Sequence, residues 1–154
     1  AGPLREGIWR LDTVDFSVLN GGIVTNGEYL MSLEAGKLIN VKYPNKSLSI
    51  NDLSSPVTAL AGIGNPQRFF SLLEKKRVKL QNQISFVDHH AFSKKDIPRG
   101  TVIMTEKDAV KCTQIAHDDC WYLPVSARLT SQFESQLVKK LKQVSADKKH
   151  NKRK

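Results

Sequence analysis

The sequence predicts an α/β domain built on a mostly parallel sheet flanked by helices, Rossmann-like in pattern. Three observations predict it. VTALAGI (57–63) is a continuous apolar run, as a strand covered on both faces requires. Apolar and amphipathic stretches then alternate as strand, helix, strand, strand, helix, strand, helix up to residue 144. The links between them are short, which suits crossovers between parallel strands.

Each element has a local reason. Asn65 caps a helix that Pro66 opens, and Phe69, Phe70, Leu72 and Leu73 give it an apolar side. QISFVD (83–88) and TVIMT (101–105) read as the second and third strands. EKDAVKCTQIA (106–116) reads as a helix capped by Thr105, with Glu106 and Asp108 at its positive end. CWYLPV (120–125) is a fourth strand. A last helix spans 131–144, where Phe133, Leu137, Leu141 and Val144 recur at helical spacing.

The stretch before Pro56 reads differently. LREGIWRLD (4–12) predicts a short helix, and VDFSVLN (14–20) a strand stopped by Asn20-Gly21-Gly22. YLMSLE and KLINVKY both alternate, which predicts a two-stranded hairpin linker over 29–43 turning at Ala35-Gly36. PNKSLSINDLSSP (44–56) has the composition of a linker. The expected division is therefore 1–55 as the end of a first domain and a hairpin linker, 56–144 as a C-terminal α/β domain, and 145–154 as a basic disordered tail.

Of the 154 residues 40% are hydrophobic, enough for a packed core. No run approaches the roughly 20 apolar residues of a membrane span, and no signal peptide is expected. Cys112 and Cys120 form no Cys-x-x-Cys pair and match no zinc spacing, so no metal site is expected and a reducing compartment is. The net charge of +9 is lopsided: residues 139–154 hold eight Lys/Arg against one acid, Asp147. Such an end suits a solubilising tail, or contact with nucleic acid or anionic lipid. No aromatic residue interrupts it, which argues against single-strand binding. A basic module that binds nucleic acid or anionic surfaces without catalysis is thus the competing function.

Chemistry in open parallel sheets gathers beyond the carboxyl ends of the strands. Three polar clusters fall there. GIGNP (62–66) follows the first strand and reads as a tight turn using Gly for positive φ, or as a phosphate cradle. It is neither GxGxxG nor a P-loop. Asp88-His89-His90 follows the second strand: an Asp beside a His can raise its basicity, or cap a turn. Thr105-Glu106-Lys107-Asp108 follows the third, where Lys107 suits an anionic substrate group or solvent.

GPLRE (2–6), NGG (20–22), AGIGNPQRFF (61–70), FVDHHAF (86–92), MTEKDAVKC (104–112) and WYLPV (121–125) together carry a resemblance. In this order they resemble the C-terminal part of the tetraacyldisaccharide 4'-kinase (lipid A 4'-kinase) family, from about residue 2 to 142. The resemblance implies transfer of the ATP γ-phosphate to the 4'-hydroxyl of a lipid A disaccharide 1-phosphate, in lipopolysaccharide biosynthesis. It implies two α/β domains joined by a two-stranded linker, with the active site between them. It implies that ATP and Mg2+ are bound mainly by an N-terminal domain upstream of this chain, at the cytoplasmic face of the bacterial inner membrane. By residue match it implies catalytic roles for Asp88 and His89, with His89 paired to an acid of the first domain. It implies substrate contacts by Arg5, Glu6 and Lys107, and leaves His90 without an assigned role. No cofactor site is expected within this chain, and nucleic acid is not the expected partner.

Overall fold

The computed structural model describes residues 7–151 except 26 and 55. The chain divides into two compact units: residues 35–126, and an outer unit of 1–34 with 127–154.

The inner unit holds a six-stranded sheet in the order β4-β3-β8-β7-β5-β6. Its strands are β3 (Leu38–Asn40), β4 (Ser47–Leu48), β5 (Val57–Ala61), β6 (Leu80–Ser85), β7 (Val102–Thr105) and β8 (Cys120–Leu123). β6, β5, β7 and β8 run parallel; β3 joins β8 antiparallel, and β4 joins β3 antiparallel. This is the mostly parallel α/β sheet that the sequence predicts.

The core follows from strand alternation. On β5, Val57, Ala59 and Ala61 face one cluster with Phe69, Phe70 and Leu73 of helix α1 (Pro66–Lys75). Leu60 faces the other, with Val102 and Met104 of β7 and Ala109 and Cys112 of helix α2 (Glu106–Cys112). Every residue of β5 is buried, as its apolar run requires. Asn65 Oδ1 accepts from the Arg68 amide at 3.3 Å and Pro66 starts α1, so that predicted cap is present.

Both cysteines are free and buried. Burial pushes the Cys112 thiol up to about 12 and the Cys120 thiol up to about 11. Both thiols are therefore protonated and inert in the folded chain at neutral pH. A colourimetric thiol reagent is expected to titrate neither cysteine until denaturant is added; prompt labelling of one would contradict this packing.

Several expectations are corrected. The 29–43 hairpin does not exist. Strand β2 (Tyr29–Ala35) lies in a separate three-stranded sheet, order β1-β2-β9, with β1 (Val18–Asn20) and β9 (Val125–Leu129). At Gly36 the chain does not turn back: its amide donates to Pro124 O at 2.9 Å, and the chain runs on into β3. An added Cβ there would lie 3.2 Å from Pro124 Cγ, so the approach is close. Residues 44–56 are not a plain linker either. They hold β4 and a 3-10 turn (Ile50–Asp52), and Leu48, Ile50 and Leu53 pack on the core. The compact unit thus begins at 35, not at the expected boundary of 55/56. The first helix is 3-10 over Ile8–Thr13, and β9 was not expected.

In the outer unit Phe16, Tyr29 and Phe133 meet edge to face, with centroids 5.1 to 5.9 Å apart. Phe133 belongs to helix α3 (Ser131–Asn151). Residues 145–151, expected as disordered tail, are helical. Ala146 and Lys148 favour a helix while Ser145, Asp147 and Asn151 do not, so α3 runs past its last apolar residue, Val144, as a continuation of the turns before it. Among the described residues no helix is long and apolar enough to cross a membrane.

Candidate active site

Three parallel strands, β5, β6 and β7, end at one rim with Ala61, Ser85 and Thr105. Past β6 the chain stays tied to β5, since the Phe86 amide donates to Ala61 O at 2.8 Å. A four-residue turn follows, closed by the His90 amide donating to Val87 O at 3.1 Å. Asp88 and His89 are its two central residues. His89 has φ 64, the left-handed conformation that the third position of a type II turn needs. Glycine or asparagine is the ordinary occupant. A histidine there is uncommon, and its ring is 80% exposed.

The two histidines part company at this turn. The His90 ring turns inward and stacks on Phe86 at 4.4 Å, with Phe92 edge-on at 5.0 Å. Its Nε2 lies 3.4 Å from Asp96 Oδ2, which also accepts from the Ser93 amide and hydroxyl. His90 is thus a packing residue. An apolar run meets two imidazoles because one completes the aromatic cluster and the other leaves it.

Asp88 is fixed from two sides. Its Oδ1 accepts from Lys107 Nζ at 2.7 Å and from the His89 amide at 3.0 Å. Its Oδ2 faces His89 Nε2 at 3.6 Å. The Lys107 ammonium, more than the neighbouring imidazole, holds the Asp88 carboxyl below its ordinary value. With a lowered pKa, the ion pair is present above the ordinary carboxylate range. It is lost only as pH falls through the lowered value. Asp88 is therefore an anion at every pH near neutrality. Lys107, expected to meet substrate, is in this structure the partner of Asp88.

Behind this turn lies a residue whose role the sequence hid. Asp108 is fully buried. Its Oδ2 accepts from the Gly62 amide at 2.8 Å and from the Thr105 hydroxyl at 2.7 Å. Its Oδ1 has no hydrogen bond among the described residues, and Lys111 Nζ lies 3.7 Å away. Asp108 thereby ties the end of β5 to the start of α2. The one hint in the sequence is the Thr-x-x-Asp spacing of a capped helix start, since the Thr105 hydroxyl also accepts from the Asp108 amide at 3.2 Å.

This bond also settles GIGNP. Neither Gly62 nor Gly64 has a positive φ, so the expected reason for glycine fails. At Gly62 an added Cβ would stand 2.9 Å from Phe92 Cζ and 3.1 Å from Asp108 Oδ1. Glycine is there for space, and its amide is already given to Asp108 and not offered to a phosphate. Arg5 and Glu6 lie outside the described residues. Among the described residues no group of three or more His, Cys, Asp or Glu is placed to hold a metal.

A family model for tetraacyldisaccharide-1-P 4'-kinase matches residues 1–142. A tetraacyldisaccharide 4'-kinase of Pseudoalteromonas atlantica is 55% identical over 144 residues, covering 94% of this chain and 47% of that protein. One of Shewanella frigidimarina is 47% identical over 153 residues, covering 97% and 45%. The chain thus spans about half the length of these relatives. A crystal structure of LpxK from Aquifex aeolicus in complex with ATP aligns with TM-score 0.64 at 22% identity, over 86% of this chain and 44% of that one. That likeness speaks to the fold. With the family model covering all but the last residues, the chain belongs to the tetraacyldisaccharide-1-phosphate 4'-kinase family.

Proposed function

We propose that this chain is the C-terminal portion of a kinase that moves the ATP γ-phosphate to the 4'-hydroxyl of a lipid A disaccharide 1-phosphate. In this reading it forms one wall of the active-site cleft, and residues ahead of β3 close the first domain and lead out of it. The enzyme works at the cytoplasmic face of the inner membrane, where its lipid substrate lies. The observation that carries the reading is the Asp88-His89 turn at the carboxyl rim, in a chain of this family.

Phosphoryl transfer needs positioning, charge neutralisation and a group to take the hydroxyl proton. His89 takes that proton at Nδ1, the ring nitrogen that does not face Asp88. Asp88 stabilises the imidazolium that results, and Lys107 holds Asp88 in place. Arg5 and Glu6 contact the substrate from the segment before the 3-10 turn. ATP and Mg2+ are assigned to the other half of the enzyme. This chain has no Gly-Lys-Ser/Thr to cradle the phosphates, and its described acids and histidines do not gather as a metal site.

The chain alone, given ATP, Mg2+ and the lipid disaccharide, is therefore expected to show no turnover above background. The full-length enzyme is expected to phosphorylate the same lipid. Turnover by the chain alone would remove ATP binding from the other half. A folded full-length protein that binds ATP and leaves the lipid unphosphorylated would overturn the function.

A further inference from the structure

A cavity of about 310 Å³ opens at the end of the inner sheet opposite to Asp88. Pro56 and Lys79, which precede β5 and β6, lie on its wall. Ile50 and Val78 make it partly apolar, and Lys76, Arg77 and Lys79 bring three cations to it. Among the described residues no carboxylate pairs with any of the three. Glu74, the acid on the same helical turn, is bonded to Gln83 instead at 2.8 Å. Asp52 closes the 3-10 turn that begins at Ile50 and is not part of the lining.

Arg77 stands in an unusual place. Its φ is 60, directly after α1. Its amide donates to Glu74 O at 2.8 Å, and the Val78 amide donates to Leu73 O at 3.1 Å. Helices that end in this way usually have glycine at the left-handed position. The helix dipole explains cations on the last turn, such as Lys75 and Lys76. It gives no reason for an arginine where glycine would close the helix without strain. The strain is explained if the guanidinium is needed at the cavity.

We propose that this cavity binds a phosphate group, gripped by the Arg77 guanidinium fork with Lys76 and Lys79 beside it. A planar fork suits two phosphate oxygens. The apolar wall at Ile50 and Val78 suits the carbon part of whatever carries the phosphate. The site is separate from the Asp88 rim and does not rest on the kinase reading. Free phosphate compounds and phospholipid headgroups share this chemistry.

The test uses the full chain, isotopically labelled, with Arg77→Gly as the variant. Glycine relieves the left-handed strain, so this variant keeps or raises the melting temperature while removing the guanidinium. Amide shifts at Val78 and Lys79 are followed on adding inorganic phosphate, against chloride at equal ionic strength. In parallel, the chain is sedimented with vesicles of phosphatidylglycerol in phosphatidylcholine. The expected result is saturable phosphate shifts that weaken at least tenfold in Arg77→Gly, which identifies a free phosphate compound. Vesicle retention that falls in Arg77→Gly identifies a headgroup. Only loss in the variant counts, because the basic residues of α3 can also draw the chain to vesicles. If neither phosphate shifts nor vesicle retention depends on Arg77 in a variant that melts normally, the proposal is overturned.

Discussion

Replacing His89 by asparagine in the full-length enzyme is expected to cut turnover by about a hundredfold or more, the usual cost of a lost general base. Asparagine is the informative choice. It tolerates the left-handed backbone that His89 adopts at φ 64, and it cannot take up a proton near neutrality. The side chain is 80% exposed, so no core cavity opens and the melting temperature should hold or rise. Asp88→Asn is expected to slow the reaction too, because it removes the charge that supports the imidazolium. Lys107→Met should follow Asp88→Asn in direction, since it frees the Asp88 carboxylate to rotate. His90→Ala should do the reverse. It opens the stack on Phe86 and so lowers stability, with a milder effect on turnover per folded molecule. Turnover and thermal unfolding measured on the same four proteins decide the matter. Full turnover in a destabilised His89→Asn would make the turn a structural cap.

Asp108→Ala is expected to destabilise the inner unit by about 3–5 kcal/mol, the range for breaking a buried charge pair by removing one partner. Two donors lose their acceptor at once, the Gly62 amide and the Thr105 hydroxyl, and the Lys111 ammonium loses its ion-pair partner at 3.7 Å. Lys111 is 28% exposed and recovers part of its loss from water, which favours the lower end of the range. Asp108→Asn keeps an oxygen for the Gly62 amide and should cost clearly less. Urea unfolding followed by circular dichroism measures both. A loss below about 1 kcal/mol for the alanine variant would show that the β5–α2 tie is weaker than one ordinary hydrogen bond.

How much of this was legible in the sequence depended on which physical signal each element carried. β5 was plain because five consecutive residues face packed layers, and an unbroken apolar run has few other readings. α1 was plain because Asn65 and Pro66 mark its start. The supposed hairpin failed because alternation in Tyr29–Ala35 reports which side of a strand is covered and not which strand lies alongside. The partners of β2 are β1 and the distant β9. β9 itself is almost wholly exposed, so it carried no pattern to detect. At the rim, the Asp88-His89 pair was visible as a pair. The inward turn of His90 depends on where Phe86 and Phe92 come to rest, which no local spacing encodes. Asp108 was hidden by its position: an acid in a first helical turn is explained by the dipole alone. Its bond to Gly62 crosses between elements.

The Gly36–Pro124 bond marks the place where the chain enters and leaves the inner unit. That has a consequence for how the molecule is made. As the chain leaves the ribosome, residues 35–126 are complete before α3 exists. The outer unit cannot finish, because β2 must wait for β9. Joining two strands so far apart along an open chain costs entropy that grows with the length between them, and such distant pairings are slow to form. A folded inner unit removes most of that cost by holding its two ends together at this bond. Assembly therefore runs from the inside outward, and a nascent chain stalled near Ser126 would carry a finished inner sheet while β1 and β2 waited for their third strand.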